Sequence, residues 1–171
     1  MHRTTKPTRT IAGLVGLVAS AVVATGTPAT AYSPNPDIWT HHKYTSECPS
    51  SGCFYNDPYD DTYFKRDVGG RAVKLELIGS SRYLGKVEFH PYDEQLWIYD
   101  TRNDSDTFHV FIQVTYDGHE TFYNGYKPPG TSRVVDKKVV DLSLREYSRV
   151  SISVYDNESY TDRITSTSAI A

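Results

Sequence analysis

Two cysteines separated by four residues stand in the stretch HHKYTSECPSSGCFYNDPYDDTYF, His41 to Phe64, with two adjacent histidines before them and Asp57, Asp60 and Asp61 after them. Thiolate and imidazole are the preferred ligands of zinc, so Cys48 and Cys53 with His41 and His42 would supply a tetrahedral set. Adjacent histidines are awkward to aim at one ion, and in an exported chain two cysteines are expected to pair as a disulfide. Free thiols are the third state open to them. A disulfide here closes a small ring, stabilising by about 2 kcal/mol in the loop-closure picture. Its larger effect is on shape: it fixes Pro49, Ser50, Ser51 and Gly52, and a loop already held in its bound form loses less entropy when it docks. With Phe54, Tyr55 and Tyr59 beside it, and Tyr63 and Phe64 beyond, the stapled stretch reads as a partner-binding element. The same aromatics would equally serve to cover one end of a β core, and the two uses are compatible.

Other constellations carry less. Asp100, Asp104 and Asp106 offer oxygen atoms of the kind calcium takes, but without the glycine and terminal glutamate of an EF-hand loop. A solvated turn is the simpler reading, and Asp57, Asp60 and Asp61 are discounted in the same way. There is no Gly-x-Ser-x-Gly elbow, no His-Glu-x-x-His and no phosphate-cradling glycine loop. No catalytic residue, metal or cofactor is therefore expected. Trp97, Tyr99, Phe111, Tyr123 and Tyr126 would form a strip of rings suited to the apolar faces of sugars if one sheet face carried them all. That makes a lectin-like module acting at the cell envelope the alternative to a protein-binding role. A lone Trp in a strand, by contrast, commonly packs a core.

The elements that must position these residues follow from the rest of the chain. Arg3, Lys6 and Arg9 precede the apolar run Ile11 to Ala24, and small residues follow up to Ala31. This is the pattern of a secretory signal peptide, and the run is shorter than the roughly 20 residues of a membrane span. Cleavage after Ala31 would leave 140 of the 171 residues, a length suited to one domain. It would also remove three of the 18 Lys and Arg, leaving 15 against 21 Asp and Glu, which argues against a nucleic-acid partner. The chain is thus expected to be secreted and extracellular, with no membrane segment after the leader.

Residues 32–70 are rich in Pro, Asp, Tyr and Ser without strand or helix periodicity, and are expected to form an extended arm. Residues 71–171 alternate: Val73, Leu75 and Leu77 oppose Lys74 and Glu76, and Val87 and Phe89 repeat the device. Leu96 to Tyr99 is apolar on both faces. Phe108, Val110, Ile112, Val114 and Tyr116 share one face of a long strand, which runs into Asp117-Gly118, a pair suited to a tight hairpin turn, so His119 to Tyr123 should pair back. Further strands are expected over Arg133 to Leu142, around Val150, Ile152 and Val154, and over a polar last segment, Arg163 to Ser168, suited to a soluble sheet edge. The fold expected is an antiparallel β-sandwich of seven to eight strands.

From Val87 onward, the run VEFHPYDEQLWIYDTRNDSDTFHVFIQV, a hairpin and then GTSRVVDKKVVDLSLREYSRVSISVYDNE resemble small secreted β-sandwich proteins of actinobacteria. The layout of leader, tyrosine-rich stapled arm and sandwich is similar to the adaptor subunits of secreted umbrella toxin particles. That resemblance implies a non-enzymatic connector between a repeat-bearing toxin stalk and a lectin-like subunit. It also implies that Cys48 to Cys53 and the flanking aromatics insert into a cleft of the lectin-like partner.

Overall fold

The computed structural model describes residues 32–80, 82–104, 106–130 and 135–171. The leader expected over residues 1–31 lies outside them, as do Arg133 and Val134 at the start of one expected strand. Among the described residues, no helix is long and apolar enough to cross a membrane.

Eleven strands follow in chain order: β1 (Asp37–Tyr44), β2 (Cys53–Tyr55), β3 (Thr62–Phe64), β4 (Arg71–Gly79), β5 (Arg82–His90), β6 (Gln95–Asp100), β7 (His109–Tyr116), β8 (His119–Tyr126), β9 (Asp136–Asp141), β10 (Arg149–Tyr155) and β11 (Arg163–Ile170). Nine form one curled antiparallel sheet in the order β8-β7-β10-β11-β4-β5-β6-β9, with β1 as a further partner of β4; β2 and β3 form a separate hairpin. The link between β11 and β4 is a single pair, Ile170 with Arg71, so the sheet bends sharply there. Its two halves contribute to one core. Val73, Leu75, Leu77, Val87, Phe89, Leu96 and Ile98 come from one half, and Phe108, Val110, Ile112, Val114, Val150, Ile152 and Val154 from the other or its approach. Each is fully buried, and each such side chain contributes about 2 kcal/mol by leaving water.

The period-2 reading of these strands holds. The Asp117-Gly118 turn has φ of 50° and 76°, the two positive angles that a type I′ hairpin requires. β8 extends three residues further than expected, to Tyr126, beyond a register shift at Val114/Thr115.

One expectation differs from what is observed. Residues 32–70 are not an arm outside the strands, because Asp37–Tyr44 pairs along β4 from Asp37 with Ile78 to Tyr44 with Arg71. Most of β1 is exposed, with only Ile38 and Lys43 half-buried. An edge strand held by backbone hydrogen bonds needs no apolar alternation, which is why the pattern is silent there. The polar last strand is open on one side for most of its length, as expected: β11 pairs with β10 throughout and meets β4 only through Ile170 and Arg71. The strands with a single neighbour are β8, β9 and β1.

Candidate partner-binding face

The outward face of β4 and β5 carries the residues that alternate with the core. Lys74 lies opposite Glu88, and Glu76 opposite Lys86, so opposite charges meet across the two strands. These polar positions are as buried as the core, at 1% exposure for Lys74 and 0% for Lys86. The cover is the segment from Cys48 to Phe64. Asp57 begins the turn between β2 and β3, accepting from the backbone N–H groups of Tyr59 and Asp60 on one carboxylate oxygen. Its other oxygen reaches Lys86 Nζ at 2.7 Å and Lys74 Nζ at 3.2 Å. Lys86 Nζ also reaches Asp60 at 2.7 Å, Glu88 at 2.8 Å and the Asp61 carbonyl at 2.8 Å. Thr62 donates its hydroxyl to Glu88, whose second oxygen meets His90 Nε2 at 2.9 Å. At the other end His41 Nε2 meets Glu76 at 3.3 Å.

Burial by itself would raise the Asp57 carboxyl. Hydrogen bonds from Lys86 and the Tyr59 N–H, with the charges of both lysines, overcome that and hold it at about 2. Glu88 is likewise held low against its burial, by His90 and Lys86, and Lys86 is held high by its carboxylate partners. The charges of Lys74, Lys86, Asp57, Glu76 and Glu88 are matched and dry, with Asp60 and His41 closing the cluster at its half-exposed rim. It is a latch that clamps the hairpin onto the sheet, and Asp57, Asp60 and Asp61 are used in it, not in a metal site. Among the described residues no three His, Cys, Asp or Glu are arranged to hold a metal ion.

The disulfide between Cys48 and Cys53 is present, so the zinc alternative has no thiolates to use. Within the ring, the Gly52 N–H donates to the Pro49 carbonyl at 2.8 Å. Gly52 has φ of +83°, and a Cβ there would strike the Tyr63 ring at 2.0 Å, so this position requires glycine. Of the residues expected to meet a partner, Pro49, Ser50 and Ser51 are exposed, Gly52 is buried under Tyr63, and Phe54 is 67% exposed. Tyr55 and Tyr59 are half-buried: Tyr55 lies between His41 and Phe64, and Tyr59 against Tyr83.

Beside the hairpin runs a groove of about 210 Å³ lined by Tyr63, Lys65, His90, Tyr92, Gln95 and Trp97, among others. Tyr92 is shared with a wider depression of about 630 Å³ that includes Ser50, Val68 and Tyr147. Phe54, Tyr63, Val68, Tyr92 and Tyr147 are all large and exposed. Val68, Tyr92 and Tyr147 carry no signal in the chain, because they lie far apart and outside any strand. The short 3₁₀ turn Pro91–Asp93 carries Tyr92 outward between β5 and β6.

The five aromatics expected to make one sugar-binding strip do not lie together. Trp97 and Tyr99 sit on the outer face of β6, and Phe111 and Tyr123 on the outer face of β7 and β8. Tyr126 packs against the core. Trp97 offers no open ring face either: His90 stacks on it at 4.3 Å and Lys137 Nζ lies 3.6 Å from its ring centre.

The chain matches no family model, no curated protein and no solved structure. Function must be argued from the site itself.

Proposed function

We propose that this protein is an exported, non-enzymatic binding protein that docks a protein partner through the stapled hairpin and the adjoining aromatic groove, as an adaptor between secreted subunits does. The observation that carries the reading is the pairing of a rigid base with an apolar rim. Phe54 and Tyr63 are exposed on a segment fixed by a disulfide, a buried ionic latch and a glycine-dependent turn, and Tyr92 stands exposed beside them on the β5–β6 turn. Exposed aromatics on a rigid support are what protein interfaces use as anchors, because little side-chain or loop entropy remains to be lost. The cluster of Lys74, Lys86 and four carboxylates is spent on holding that support, which leaves it no free group for acid–base work.

The toxin-adaptor role suggested by resemblance fits this reading: Pro49, Ser50 and Ser51 form the exposed tip, and Phe54 its flank. The test is affinity capture of the tagged protein from culture supernatant of its native host, beside a Phe54→Ala/Tyr63→Ala/Tyr92→Ala variant. A secreted protein retained by the parent and lost by the folded variant supports docking here. Equal retention by both would refute it.

A further inference from the structure

The outer face of the other half of the sheet is built differently and is bare. Register sets its side chains in rows across four strands. Tyr123, Gln113, Ser151 and Ser168 form one row, and Gly125, Phe111, Ser153 and Ser166 the next. At about 4.8 Å between strands, each row spans about 14 Å. One end is aromatic: Phe111 lies 6.3 Å from Tyr123 and 5.3 Å from Tyr160. The other end is a shallow depression of about 450 Å³ lined by Arg71, Arg149, His42, Ser151, Ser153, Ser166 and Ser168, among others. Arg71 is fixed there by donating to the Ser168 carbonyl at 2.9 Å and hydroxyl at 2.7 Å. The carboxylates at the aromatic rim are engaged, Glu120 with Gln113 and Glu158 with Lys127.

We infer that this face binds an anionic saccharide chain. A ring with an apolar face suits Tyr123, which is 64% exposed, and sugar hydroxyls suit the row of serine hydroxyls and the Gln113 amide. Arg149, which is exposed, can take a carboxylate by two parallel hydrogen bonds at the serine end, and Arg71, whose Nη2 is bound to Ser168, adds positive charge beside it. A protein partner is the poorer occupant, since serine is depleted from protein interfaces and, among the described residues, no exposed cluster of large apolar side chains lies in the serine half of the face. The inference does not depend on the docking role of the opposite face.

Binding of the full exported chain to polygalacturonate, with dextran as the neutral control, tests it by titration calorimetry. Tyr123→Ala and Arg149→Ala are each expected to weaken binding about tenfold, and 0.5 M salt about as much. Both sites are exposed, and unchanged thermal unfolding confirms that each variant is folded. Failure to bind polygalacturonate, equal binding of dextran, or variants that bind as the parent does would each overturn the inference.

Discussion

The two outward faces of this one curled sheet share the same alternation and have opposite fates. On β4 and β5 the residues between core positions are Lys and Glu, and they are buried beneath the stapled hairpin. On β10 and β11 they are mainly Ser, with Arg149, Tyr155 and Ile170 at the ends, and they stay half-open or exposed. A sheet face of matched charges is costly unless something dry and complementary closes over it, and here Asp57 and Asp60 do so. A face of small hydroxyls needs no cover. One side of the molecule is therefore a support for the stapled hairpin, and the other is an open surface.

The sharpest way to break that contrast is Lys86→Met. It leaves Asp57 and Glu88 dry and short of a partner, and is expected to cost about 3–5 kcal/mol in urea unfolding, because a lone buried charge is penalised more than the pair was worth.

Acid offers a second handle with a definite sign. Asp57 is depressed from 3.8 to about 2 in the fold, so its contribution is complete above pH 4 and is lost as pH falls towards 2. Asp100 moves the other way. Burial first, then the charges of Asp104 and Asp136, raise it to about 6 despite the Arg102 N–H and Thr107 beside it. Its ionisation penalises the fold above pH 6, and stability is regained as pH falls from there towards 3.8. The contribution of Glu88, also held low in the fold, is lost alongside that of Asp57 in acid, so unfolding midpoints at pH 7.5, 5 and 2.5 should be highest at pH 5, and Asp100→Asn should raise the value at pH 7.5 more than at pH 5.

Opening the staple with Cys48→Ser/Cys53→Ser is worth less, about 2 kcal/mol, but should weaken partner capture as the loop loses its shape. Smallest is the open face, where Ser151→Ala and Ser153→Ala should each change stability by less than about 0.5 kcal/mol.

The contrast also explains what could be read in the chain. The core of β4, β5, β7 and β10 was legible because each strand buries one face against the other half, and the β7–β8 hairpin because Asp117-Gly118 dictates its turn. The latch was not, since Lys74-x-Glu76 and Lys86-x-Glu88 look like a solvent face until their cover is known. Their complementary order on adjacent strands was the available signal. β1 escaped because an exposed edge strand buries too little to leave a pattern. The stapled loop was legible as a feature, whereas the groove was not, because Tyr63, Tyr92 and Trp97 meet only after folding.

Hydrogen–deuterium exchange on the protein alone and with its captured partner shows whether the latched hairpin is the protein-docking face. Protection confined to residues 48–64 and 91–97, with residues 109–126 and 149–168 unchanged, is expected. Protection on the β7, β8, β10 and β11 face alone would contradict a docking role for the hairpin.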